Sequence, residues 1–324
     1  MPPRGRRRPD CHCAPTGYPR STMVRMTDKP WITSEATDLV RARTQLGGFE
    51  LIICTDGTYR LDGGAMFGVV PKTLWQKRAP ADEQNRILLG LNTVVVRTAS
   101  QTVVIETGIG NKQNDKMREI QQNQELLPQS LTAADVRPEE VDIVINTHLH
   151  FDHCGWNTTL HADGSVTPTF PNARYFVHKG EVEHGHMQYD RDRVSYLSLN
   201  YDPLIKSGQM TLLTTEGIAA NPEILPGISV ELFPGHTRQL MAVHMESGGE
   251  HACYISDLIP TSAHLDPTWV MGYDLDPMES IAQRKRFYQR AIPEKWLVLF
   301  THDHHTPMAR IELNDKGKPA AVKV

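Results

Sequence analysis

The sequence has no basic excess: across 324 residues, 34 Lys and Arg stand against 38 Asp and Glu, a formal net charge of -4. Domains that grip nucleic acid through its phosphates usually carry the opposite balance, so no nucleic-acid partner is expected. Long hydrophobic runs are also missing. None approaches the roughly 18 residues that a membrane-spanning helix needs, so no membrane partner is expected either. Cysteine is scarce, and Cys11, Cys13, Cys54, Cys154 and Cys253 are odd in number and scattered, which argues against a compact disulfide framework. Cys11 and Cys13 lack a second nearby pair to complete a tetrahedral site. The first thirty residues hold Arg4, Arg6, Arg7 and Arg8 but no apolar segment that could form the core of a secretory signal. Residues 1–30 read as a disordered basic extension, with Met23 and Met26 marking a candidate later start, and the location expected is cytoplasmic.

What is present is an ordinary globular composition, 39% hydrophobic and 22% charged, able to bury a full core. Short β-rich runs at 49–54, 93–98 and 102–105 are bounded by turn signals, Asp56-Gly57 among them. Ser130 is placed to cap a helix over 131–136, and 141–145 reads as a strand. Further on, 174–178, 228–233, 241–245, 252–256 and 296–300 read as strands, and 180–186, 191–199 and 278–291 as helices. Strands and helices mixed in two halves point to stacked sheets with helices outside.

One segment concentrates chemistry. Thr147-His148-Leu149-His150-Phe151-Asp152-His153 follows a strand and puts four imidazole or carboxylate groups within six residues, the borderline ligands that zinc and similar ions prefer. An irregular loop can turn them apart, so that His148 and His150 serve one ion while Asp152 and His153 serve another. Three further candidates also follow strand-like runs: His236 in Gly235-His236-Thr237, Asp257 after Ser256, and His302 after Thr301.

In order and context, His148-x-His150-x-Asp152-His153, His236, Asp257 and His302 resemble the ligand set of the metallo-β-lactamase superfamily. The resemblance runs from about Phe49 to His302 and implies an α/β (α+β) fold, a four-layer αββα sandwich, occupying 31–324. It further implies that His148, His150 and His236 hold one ion and Asp152, His153 and His302 a second, with Asp257 bridging. The run Asp56-Gly57-Thr58-Tyr59-Arg60-Leu61-Asp62-Gly63-Gly64-Ala65-Met66-Phe67-Gly68, the segment 148–155 and Ser256-Asp257-Leu258-Ile259-Pro260 resemble the quorum-quenching N-acyl-homoserine lactonase-like branch.

Three departures bear on substrate. Glu106 stands where many relatives place an aspartate that orients a ligand histidine. Arg238-Gln239-Leu240 replaces a Pro-Gly-His continuation, and Pro260 occupies the place of a tyrosine that assists the carbonyl in the better known lactonases. The resemblance implies a dinuclear hydrolase with two divalent ions, zinc or else Mn2+, Co2+ or Fe2+, that opens a small-molecule lactone or ester, with Asp152 relaying a proton. Met66, Phe67 and His264 are candidate substrate contacts. The competing readings are a phosphotriesterase acting on organophosphates, and a metal-stabilised binding protein without activity. A homodimer is compatible with all of these.

Overall fold

In the computed structural model, which describes residues 38–214 and 222–324, the β-rich runs assemble into two seven-stranded sheets laid face to face. The first contains β1 (Val40–Leu46), β2 (Phe49–Asp62), β3 (Arg86–Arg97), β4 (Thr102–Ile105) and β5 (Ile143–Ile145). A small ribbon of β6 (Thr158–Leu160) and β7 (Val166–Pro168) intervenes before β8 (Arg174–His178) and β9 (Met210–Leu213) complete the order β1-β2-β3-β4-β5-β8-β9. Pairing is antiparallel as far as β4 and parallel from there to β9. The second sheet keeps chain order: β10 (Glu223–Leu225), β11 (Ile228–Leu232), β12 (Met241–Ser247), β13 (Glu250–Tyr254), β14 (Leu297–Leu299), β15 (Met308–Leu313) and β16 (Pro319–Val322). In it β13 and β14 run parallel and the other neighbours antiparallel.

The helices are α1 (Gly63–Phe67), α2 (Lys72–Trp75), α3 (Asp115–Gln121), α4 (Leu127–Ala133), α5 (Phe151–Cys154), α6 (Lys179–Met187), α7 (Asp202–Ser207) and α8 (Pro277–Ala291). Period-two alternation explains the layering. Leu51, Ile53, Val94, Val96, Val103 and Ile105 meet Val230, Val243, Met245, Tyr254 and Leu299 between the sheets. Their neighbours Ile52, Cys54, Val95 and Val104 face the other way, onto Leu131 of α4, Val182 of α6 and Leu204 of α7. Phe287, Tyr288 and Ala291 of α8 cover the second sheet's outer face at Ala242, Cys253 and Val298. The result is the expected αββα sandwich, each fully buried large apolar side chain contributing about 1.5–3 kcal/mol.

Cys54, Cys154 and Cys253 are buried free thiols. The expected basic extension, with Cys11 and Cys13, lies outside the described residues. Among those described, no helix is long and apolar enough to cross a membrane.

Several local expectations need correction. Asp56-Gly57 does not end the strand: β2 continues for 14 residues through a bulge between Thr55 and Thr58. The Asp56 carboxylate turns inward and accepts hydrogen bonds from Ile109 N (2.8 Å), Gly110 N (3.2 Å), Leu127 N (2.8 Å) and Trp156 Nε1 (2.9 Å). Ser130 lies inside α4, not at its cap, and its hydroxyl accepts from Thr55 N at 2.9 Å. Residues 191–199 form no α-helix but two single 3-10 turns, Arg193–Ser195 and Ser198–Asn200, held by contacts such as His184 to Asp192 at 2.7 Å.

The two sheets touch at both ends of their strands. At one end the hairpin tips meet: Gly47 N donates to Glu250 Oε2 (2.7 Å) and Gly48 N to Ser247 Oγ (2.9 Å). Gly47, at φ +56°, lies so close to the Ser247 carbonyl that a Cβ there would collide with it. The opposite end collects the loops that follow β5, β11, β13 and β14.

Candidate metal centre

The buried Ile143–Ile145 run drives β5 into the sandwich and delivers Asn146 and Thr147 to its edge, where the chain breaks into an irregular loop and the single turn α5. Leu149 is buried and anchors the loop, with its N–H donated to Glu181 Oε2 at 3.3 Å. Gly155 ends the segment because it lies against the Ile109 backbone, where any Cβ would overlap the carbonyl. His148 and His150 thus leave from the irregular loop and Asp152 and His153 from α5, with the His148 ring 4.6 Å from His150 and 4.0 Å from His153.

The structure brings all seven residues singled out in the sequence to one place. His148, His150 and His236 offer nitrogen atoms within 4.8 Å of one another, as do the ligand atoms of Asp152, His153 and His302. Asp257 lies between the two groups: Oδ2 is 3.3 Å from His236 Nε2 and 3.5 Å from His153 Nε2, and Oδ1 is 3.2 Å from His302 Nε2. His302 Nε2 and His153 Nε2 approach to 3.3 Å, and His236 Nε2 lies 3.1 Å from His150 Nδ1.

The buried groups act on one another: burial would lower His153 and His236, but Asp257 beside them raises both. Burial, reinforced by His153 beside His148 and by His236 beside His150, pushes both imidazoles well below their ordinary value, toward the neutral form that binds metal. Burial alone would raise the Asp257 carboxyl, but His302, His153 and His236 hold it well below the usual range. The Nε2 atoms of His148 and His150 and Oδ1 of Asp257 are buried without a hydrogen-bond partner. Orphaned acceptors crowded in this way cost free energy unless a Lewis acid meets them, so the donor set fits divalent ions.

A polar shell holds these side chains. Glu106, with a left-handed φ of +61°, accepts from Thr147 N at 3.0 Å and from the Thr147 hydroxyl, and its Oε1 lies 3.5 Å from His153 Nδ1. Glu106, His148 and His153 form a third close cluster, although His153 Nδ1 makes no hydrogen bond. Thr147 Oγ1 also meets His148 Nδ1 (3.0 Å) and Ser256 Oγ (2.7 Å). His302 Nδ1 faces the Gly90 carbonyl at 2.9 Å.

Two buried groups went unrecognised in the sequence. Tyr59 donates to Asp152 Oδ2 at 2.7 Å, and Asp274 Oδ1 lies 3.0 Å from His236 Nδ1. Tyr59 was marked only as a member of the 56–68 run that resembles the lactonase-like branch, with no role of its own, and Asp274 is remote from every motif.

Met66, Phe67 and His264, expected to touch substrate, are instead core residues at 1%, 0% and 0% exposure. His264 stacks on Phe67 at 4.4 Å, and its nitrogens are taken by Thr261 Oγ1 (2.8 Å) and the Met66 carbonyl (2.9 Å). Shared packing consumes the surface that a ligand would need.

Residues 87–302 match the family model of the metallo-beta-lactamase superfamily. Among curated proteins the chain is similar to N-acyl homoserine lactonases of Bacillus cereus (26% identity over 169 residues) and Bacillus thuringiensis (24% over 168). These matches cover 52% and 51% of this chain and span only 58% and 57% of the relatives' lengths. Among solved structures, a probable metal-dependent hydrolase from Staphylococcus aureus superposes with a TM-score of 0.77 at 28% identity, covering 87% of this chain and 99% of that one. A dizinc quorum-quenching lactonase shares the fold with a TM-score of 0.73 at 20% identity, over 89% of this chain and 98% of that one. With the family model spanning most of the chain and the paired clusters lying inside it, the chain belongs to the metallo-β-lactamase superfamily.

Proposed function

We propose that the protein is a dinuclear metal-dependent hydrolase that opens a lactone ring, with N-acyl-homoserine lactones as the substrate class. The observation that carries this reading is the pair of three-residue clusters with Asp257 between them. His148, His150 and His236 would hold one ion, Asp152, His153 and His302 the second, and Asp257 both. Two divalent ions held there, zinc in this reading, would acidify a water from about 15.7 toward 7 and act as Lewis acids toward a carbonyl. The similarity to N-acyl homoserine lactonases supports the substrate class, and that to a probable metal-dependent hydrolase supports the metal chemistry.

The chain's own residues then have defined tasks. Asp152, whose Oδ2 accepts from the Tyr59 hydroxyl at 2.7 Å, would take the proton released by the attacking water and pass it to the departing alcohol oxygen. Thr147, itself held by Glu106, orients His148 so that little reorganisation accompanies the reaction. A cavity of about 550 Å³ lies beside the loop that carries His236, lined by Tyr189, Arg191, Gly235, Thr237, Arg238 and Glu279 and by none of the seven clustered side chains.

The test is a side-by-side assay of an N-acyl-homoserine lactone, an aryl ester and an aryl phosphotriester, using protein stripped with a chelator and reloaded with zinc. Lactone opening should vanish on stripping, return with zinc and exceed the other two activities. Faster turnover of the phosphotriester would assign the site to organophosphates, and absence of every activity in zinc-loaded protein would favour a binding role.

A further inference from the structure

The run Asp62-Gly63-Gly64-Ala65-Met66-Phe67-Gly68 lies outside both clusters, and its large side chains are fully buried, so substrate contact does not account for it. Its packing leads back to His236. Asp62 Oδ1 caps α1 by accepting from Ala65 N (2.8 Å), and its Oδ2 accepts from Asn85 Nδ2 (2.8 Å). Gly68, at φ +55°, lies against the Val270 carbonyl, where a Cβ would approach to 2.9 Å, and Gly272 N donates to the Ala65 carbonyl at 2.8 Å.

From this contact the chain runs directly to Asp274, and the next two residues grip the loop carrying His236: Leu275 N donates to His236 O (3.1 Å) and Asp276 N to Gly235 O (2.8 Å). Arg284 of α8 braces the segment that leads to Asp274, donating to the carbonyls of His264 (3.0 Å) and Trp269 (2.7 Å). Asp274 is 2% exposed, with Oδ1 at 3.0 Å from His236 Nδ1 and Oδ2 without a hydrogen-bond partner. A buried carboxylate satisfied on one side only is expensive in isolation. Here it has a use: accepting from Nδ1–H fixes the imidazole tautomer and leaves the Nε2 lone pair facing the cluster.

We infer that Asp274 is a positioning residue for His236, and that α1 with the loop over 269–274 is the strut that holds it in place. The inference rests on the reading of His236 as a metal-holding residue. Asp274 acts through the imidazole and touches neither substrate nor ion.

The experiment measures Zn2+ affinity by chelator competition on the full chain, without recourse to hydrolysis. Wild-type protein should bind two ions. In Asp274→Ala one affinity should fall by about 10- to 100-fold while the other stays unchanged. Asp274→Asn, which keeps an acceptor for Nδ1–H, should recover part of the loss. Gly68→Ala, distant from the clusters, should weaken the same ion. A folded Asp274→Ala holding both ions at wild-type affinity overturns the inference, as does an equal loss at both sites. Should Asp274→Ala not fold, Asp274→Asn decides by the same criterion. Wild-type protein that takes up no zinc would instead overturn the reading of the centre, and this inference with it.

Discussion

Tyr59 and Asp56, three positions apart on β2, show what single side chains contribute. The Tyr59 phenol is buried beside Asp152, and its hydroxyl also lies 3.4 Å from both ring nitrogens of His302. Removing that donor in Tyr59→Phe leaves Asp152 Oδ2 without the hydrogen bond that orients it. The expected outcome is a kcat 10- to 100-fold lower with zinc content unchanged, read by steady-state kinetics and metal analysis. Asp56 illustrates why such residues escape sequence reading. Asp-Gly is a turn signal by local chemistry, yet the carboxylate serves donors from three distant segments, at Ile109 and Gly110, Leu127 and Trp156. Nothing near residue 56 in the chain announces them. The seven clustered residues were legible for the opposite reason: four stand together, and the others directly follow apolar runs.

At the level of elements, strands with clean apolar runs were read almost to the residue, β4 and β8 among them. The helix expected over 191–199 was not there, because its apolar residues bury against neighbours without a shared face: Tyr196 is 3% exposed and Val194 76%. The link between the second sheet and α8 is electrostatic as well as apolar. Glu231 of β11 meets Arg286 at 2.7 Å and Arg290 at 2.8 Å on α8, and His244 of β12 at 3.0 Å. Burial alone would raise the Glu231 carboxyl, but His244 and Arg290 pull it down to about 2. A depressed carboxyl contributes stability that is complete above its unfolded value of about 4.3 and lost as pH falls toward 2. Glu231→Gln should therefore melt below wild type from pH 5 to 6, with the gap closing as pH falls through 4 toward 2. Thermal melts of both proteins across that range check this, and a gap independent of pH would contradict it.

For the whole molecule, the layered class followed from the alternation of apolar residues, but the pairing of strands did not. The parallel neighbours β13 and β14 are separated by more than forty residues, including α8. The site itself is a property of the assembled sandwich. His148, His150, Asp152 and His153 follow a strand of the first sheet, whereas His236, Asp257 and His302 follow strands of the second. Ions bound between them would tie the sheets together, each adding about 2.7 kcal/mol when present at a hundredfold its Kd. Chelation should therefore lower Tm by roughly 5–10 °C, and hydrogen exchange should quicken first at 146–153 and 235–237. Melting and exchange measured with and without chelator check this, and an unchanged Tm would separate the centre from stability.

The glycine contact between the hairpin tips acquires a mechanical meaning from that arrangement. The two sheets are pinned at both rims, at the mouth by whatever the clustered side chains hold and at the far rim by the close backbone approach of Gly47 to Ser247, so a bulky residue at position 47 would push the far rim apart while leaving every group at the mouth unaltered.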